Sequence, residues 1–206
     1  MSDVLPRDAR ALSGVRLYAR SRAVPGTLVL LAGTAVLALW AAARTGSGPD
    51  PDRLLPVVTL VPPVAAAVIG TSLYSASDEL DRTAVRPWWP RRLAQLLGLT
   101  AVAAAVLPLA VLGDAPAVLR NVLGCTGLTA ASACLLGARL SWLPACGYVS
   151  AVYLASDGAH GRAVTVWAWP TQPGHVSAAW VMATGAFVLG TALYAARGAR
   201  SEGIRG

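Results

Sequence analysis

Six apolar runs, separated by short polar breaks, set the pattern of this chain. They cover about Gly26–Ala43, Leu54–Ala76, Leu93–Leu112, Ala117–Ala138, Leu140–Leu154 and Ser177–Ala196. A bilayer-crossing helix needs ~20 apolar residues, and five of the runs approach that length. The fifth, Leu140–Leu154, would cover only ~22 Å of a ~30 Å hydrocarbon core. The pattern predicts an all-α integral membrane protein with six transmembrane helices, one of them short. Pro62 and Pro63, in the outer half of the second run, each remove a backbone donor and predict a kink there.

The segments between the runs carry the other signals. Residues 1–24 hold five Arg before any long apolar stretch. On a helical wheel Leu12, Val15, Tyr18 and Ala19 share one arc, and Arg10, Arg16 and Arg20 most of the other. This predicts a basic amphipathic helix lying on the membrane surface, among anionic headgroups of the lipid bilayer, ahead of a single six-span domain over 25–206. Arg44–Arg53 and Gly113–Pro116 read as turns. The stretch Asp157–Val176 is too polar to span, yet Val164–Trp169 within it is apolar. Trp167 and Trp169 there predict a short element dipping into the outer leaflet. In the fourth run Thr126, Thr129 and Ser132 sit among small residues suited to close helix contact.

Orientation follows from arginine placement. With the N-terminus inside, the inner segments hold thirteen Arg, and the outer ones hold four: Arg44, Arg53, Arg120 and Arg162. Both termini are therefore expected in the cytoplasm. With Arg120, at the outer end of the fourth run, counted as an outer residue, no Asp, Glu, Arg or His lies deeper inside a span, and Asp114 and Arg139 sit at span ends. That disfavours a proton- or ion-coupled transporter, which needs an intramembrane ionisable group.

Composition and residue spacing add four exclusions. Apolar residues make up 55% and charged residues 13%, too few charges for an ordinary soluble domain. The seventeen cationic residues behind the net charge of +7 are all Arg. Without a Lys the chain has no Walker-type phosphate loop, so it is not expected to be an enzyme by itself. The basic charge is distributed as in a membrane protein, so nucleic acid is not an expected partner. Cys125, Cys134 and Cys146, or His160 and His175 with Asp157, match no metal-site spacing, and no metal or directly bound cofactor is expected.

The densest island of charge is Ser77–Arg92, SDELDRTAVRPWWPRR, between the second and third runs. Ser77 suits a helix cap, with Asp78, Glu79 and Asp81 in the first turn. Asp78 and Arg82 are four apart and suited to pair, and Pro87 ends the helix after Arg86. Neighbouring carboxylates on a helix diverge, which disfavours a shared metal. The island reads as a short cytoplasmic helix that touches a partner.

This layout resembles the membrane subunits of ABC transporters of the ABC-2 exporter type. The resemblance rests on the basic helix before the first span, six spans with both ends inside, and the charged helix after the second span. The near-absent loop after the fourth span and the dipping segment after the fifth complete it, and ELDRTAVRPWWPRRLAQLL is similar to the equivalent stretch in small actinobacterial proteins of this kind. It implies a coupling helix at Asp78–Arg86, an elbow helix at Arg7–Arg20 and a re-entrant element at Val164–Pro173. It also implies a bacterial inner-membrane permease for a hydrophobic or amphipathic cargo such as a lipid-like molecule, peptide or antibiotic. A second permease copy or relative would complete the pathway, with ATP and Mg on a separate ABC ATPase subunit. The alternative is a non-transporting immunity or scaffold protein that binds a cytoplasmic partner.

Overall fold

The computed structural model describes residues 24–44, 51–73, 89–111, 113–155 and 162–200. Seven α-helices and no strand occur among them: α1 Val24–Arg44, α2 Pro51–Ser72, α3 Trp89–Ala110, α4 Ala115–Leu136, α5 Trp142–Ala155, α6 Arg162–Trp167 and α7 Ser177–Arg197. A 3₁₀ turn, Trp169–Thr171, joins α6 to the approach to α7. Helices α1, α2, α3, α4 and α7 are long and apolar enough to cross a bilayer. The fifth apolar run forms the 14-residue α5, about 21 Å long. The molecule is an all-helical, multi-pass membrane protein.

The outward surface agrees with that class. Val29, Val36 and Leu37 on α1, Leu109 on α3, Leu154 on α5, and Val181 and Leu189 on α7 are all more than 60% exposed. In water so much apolar surface would drive association, whereas in a bilayer it meets lipid tails. At its C-terminal end α1 carries Arg44 with its guanidinium 4.8 Å from the Trp40 ring centroid, a cation–π contact that also complements the helix dipole.

Two clusters form the interior. The larger joins α1 to α4 through residues such as Leu31, Ile69, Leu96, Leu107, Val118 and Val122. The smaller joins α2, α4, α5, α7 and the 3₁₀ turn through Ala66, Cys125, Val149, Trp169, Ala179 and Ala183. Helix α4 belongs to both and is the centre of the bundle.

The most extensive helix pairing is α4 with α7. Gly174, just before α7, donates its N–H to Asp114, just before α4 (2.6 Å). Beyond the other ends, the Arg200 N–H donates to the Ala133 carbonyl near the end of α4 (2.9 Å). The two helices therefore run parallel. Their backbones meet where Gly127 faces Gly190, since a Cβ on either residue would overlap the backbone of the other helix. The chain between them must return along the bundle, and α5, packed on α2 and α4, carries most of that return.

Pro62 and Pro63 do not interrupt α2, which stays helical from Pro51 to Ser72. The acceptor that Pro62 frees is filled from outside the helix. Pro62 has no N–H for the Val58 carbonyl four residues back. Asn121 Nδ2 of α4 donates to that carbonyl instead (3.2 Å).

A bulky side chain at the α4–α7 crossing must separate the two backbones. Gly190→Val is expected to destabilise the fold by about 1–3 kcal/mol or more. Gly147→Ala, where a Cβ meets nothing within 4 Å, is expected to be neutral or slightly stabilising. Thermal unfolding of the detergent-solubilised protein measures both.

Candidate functional site

The polar centre of the described structure lies at the N-terminal end of α4. Asp114 caps this helix, accepting the Ala117 N–H at Oδ1 (3.1 Å), while Pro116 occupies a first-turn position where no backbone donor is needed. Its other oxygen takes the Gly174 N–H, so one carboxylate starts α4 and docks the chain entering α7.

One and a half turns into α4 come Arg120 and Asn121, both fully buried. The Arg120 Nε and Nη2 both donate to Asn121 Oδ1 (3.1 Å each). The same guanidinium donates through Nη2 to the Gln172 carbonyl (2.7 Å) and through Nη1 to the Pro173 carbonyl (3.0 Å). Asn121 turns its amide the other way, to the Pro170 carbonyl (2.8 Å) and to Val58. Charge-assisted bonds from a planar fork suit clustered carbonyls better than an ammonium group would.

These two side chains hold the 3₁₀ turn deep in the bundle. The Trp169 ring lies against Gly124, where any Cβ would overlap it. Gly124 is about 13 Å along α4 from Ala115. Tyr148, midway along α5, donates its hydroxyl to the Trp167 carbonyl, and its ring is 6.2 Å from that of Trp169. Helix α7 adds the Trp180 indole N–H, which donates to the Gly174 carbonyl (2.8 Å).

Backbone accounting explains why irregular chain persists at this depth. The carbonyls of Trp167, Pro170, Gln172, Pro173 and Gly174 accept from side chains of α4, α5 or α7. Those of Ala168 and Trp169 accept from Thr171 and Gln172 within the turn. Non-helical backbone is tolerated at membrane depth where protein supplies its partners.

One sequence expectation changes here, and two others gain detail. Arg120 is not an outer-loop residue: it lies inside α4 with no solvent exposure, so a helix interior does hold an ionisable group. The signal was an Arg-Asn pair inside the fourth apolar run, six residues after Asp114. Its meaning depended on carbonyls some fifty residues away. The two tryptophans also divide: Trp169 is buried in the smaller core, while Trp167 is 40% exposed. In the fourth run, Ser132 bonds the Leu128 carbonyl (2.8 Å), but the Thr126 and Thr129 hydroxyls are buried without a hydrogen-bond partner.

Asp78, Glu79, Asp81, Arg82 and Arg86, and likewise Arg10, Arg16 and Arg20, lie outside the described residues. The helices flanking the charged island are tied together, since Gln95 Nε2 of α3 donates to the Ser72 carbonyl at the end of α2 (3.1 Å). Among the described residues no group of His, Cys, Asp or Glu is arranged to hold a metal ion. The arrangement around Arg120 offers no nucleophile with an adjacent base; its donors are occupied by two backbone carbonyls and Asn121 Oδ1. Its work is positioning. No family model, curated protein or solved structure matches the chain.

Removing the clamp leaves the Gln172 carbonyl and Asn121 Oδ1 without their donors, at about 1–3 kcal/mol each. Arg120→Met is therefore expected to destabilise the protein by about 2–6 kcal/mol, read by thermal unfolding. It is also expected to release the docked turn. A cysteine at position 172, introduced by Gln172→Cys, should react with a water-soluble maleimide several-fold faster in the Arg120→Met background than alone.

Proposed function

We propose that this chain is the membrane-spanning permease subunit of an ATP-driven exporter of the ABC-2 type. The observation that carries the reading is the arrangement around α4 and α7. A parallel pair of long helices is bridged at one end by an irregular segment docked inside the bundle, and a single short helix makes the return. In this reading α5 is a sixth crossing, shortened because the docked turn and α6 occupy the space beyond it. The Trp167–Gly174 segment is the outer re-entrant element.

The same reading sets the orientation. Counting Arg120 as a buried helix residue lowers the outer arginines from four to three, against thirteen inside. Both termini and the island between α2 and α3 are then cytoplasmic. Asp78, Glu79, Asp81, Arg82 and Arg86 form the contact with a separate ATPase, which the absence of lysine requires. Residues 1–24, with Arg10, Arg16 and Arg20, lie along the inner surface.

Buried Arg120 is spent on backbone carbonyls and carries no transported ion. The apolar exposed faces fit a hydrophobic or amphipathic cargo passing between two copies. ATP-driven closure of the partner would push on the island, and the Gln95–Ser72 tie would pass that displacement to α2 and α3 together.

Purification of the tagged chain from its native membrane is expected to bring down a P-loop ATPase. The yield should fall at least tenfold when Glu79→Lys, Asp81→Lys and Arg82→Glu are combined. Undiminished recovery from the triple variant would sink the coupling role. Association without ATP-dependent transport in liposomes would favour the immunity or scaffold reading.

A further inference from the structure

A hydroxyl on a helix in an apolar bundle ordinarily bonds a carbonyl of its own helix, three or four residues back. Thr34, Thr71, Ser72, Thr100 and Ser132 all do so here. Thr126 and Thr129 of α4 do not. Both are 1% exposed, and neither Oγ1 has a hydrogen-bond partner. The Thr129 methyl is the group that lies against Gly70 of α2, where a Cβ would overlap it, so its hydroxyl is turned elsewhere. A hydroxyl left unbonded in such surroundings forfeits the bonds it had to water. The Thr59 and Thr191 hydroxyls are in the same state, but one stands on α2 and the other on α7.

Thr126 and Thr129 differ from those two because they are three residues apart on one helix. Residues at that spacing are neighbours on the helix surface, with Cβ atoms about 5–6 Å apart. One water molecule at ~2.8 Å from each of two oxygens spans such a gap. Each hydroxyl offers a donor and two acceptor sites, and helix carbonyls keep a second lone pair. A water there finds the three or so bonds that buried waters make. The row then continues outward. Ser132 follows three residues on, and its Oγ, donating to the Leu128 carbonyl, keeps acceptor sites free for a further bond. Three residues beyond it Leu135 is 58% exposed, so this row of side chains leads from the buried pair to the surface.

We propose that Thr126 and Thr129 hold a buried water molecule in the middle of α4, which exchanges with the surface along the row through Ser132. Val122 and Ala130 of the larger core and Cys125 of the smaller one flank the pair along the helix. The water satisfies both hydroxyls without drawing them back to their own carbonyls. This goes beyond the exporter reading and requires only the helical bundle.

X-ray radiolytic labelling of the full chain in nanodiscs tests the site, since a bound water yields hydroxyl radicals beside the side chains it touches. Cleavage after Arg120 and Arg139 releases residues 121–139 for mass spectrometry. Cys125, adjacent to Thr126 and itself fully buried, is the reporter. It is expected to label in the wild type and in Thr126→Ser/Thr129→Ser, and several-fold less in Thr126→Val/Thr129→Val. The thermal midpoint supplies an independent sign. Hydroxyls bonded to water make each single valine variant unfold about 2 °C or more below the wild type. Orphaned hydroxyls would make valine, of the same shape, the more stable residue. An unlabelled Cys125 in the wild type, labelling unchanged by the valine pair, or a midpoint that holds or rises in both single variants would each overturn the proposal. Should the valine pair fail to fold, Thr129→Val alone removes one of the two holding groups. It is expected to lose about half of the labelling or more, and full labelling there overturns the water site.

Discussion

The hydrogen bonds of Arg120 and Asn121 are the constraint on which this architecture rests. An apolar bundle can be assembled in many ways, because helices packed in lipid gain little from hydrophobicity alone. Irregular backbone has no such latitude: each carbonyl removed from water needs a donor. The turn from Trp167 to Gly174 can sit beside the middle of α4 only because two adjacent side chains reach three of its carbonyls. Their position, one and a half turns below the Asp114 cap, sets how deep it goes. The entry of α7 follows from that depth.

The second constraint is steric. Glycines at 127 and 190 let two backbones touch, and Gly124 leaves room for a tryptophan ring. The Asp114 carboxylate ties the starts of α4 and α7, and Arg200 ties their ends. Between these ties the pair behaves as one stiff unit, with the docked turn at one end.

Much of the helical framework was legible in the residues. Run lengths and turn residues mark every long helix, and the described bounds differ from the expected ones by a few residues. The short fifth helix was legible too, since length is a local property. Less legible was the fate of the prolines. Pro62 removes a donor wherever it stands, but what fills the freed Val58 carbonyl is Asn121, sixty-three residues from Val58 along the chain. The two tryptophans posed the same problem: Trp167 and Trp169 have the same composition signal, and only packing against Gly124 buries one and not the other.

The sequence by itself determined that the chain is a helical membrane protein, roughly where each helix begins and ends, and that it lacks a Walker phosphate loop. Those are consequences of hydrophobicity, length and residue type, which act locally. Only the tertiary structure decided that Arg120 belongs to the interior and that α4 and α7 run as a pair. A charged residue in an apolar run is costly until its partners are known. The partners here are backbone carbonyls, which no residue type announces.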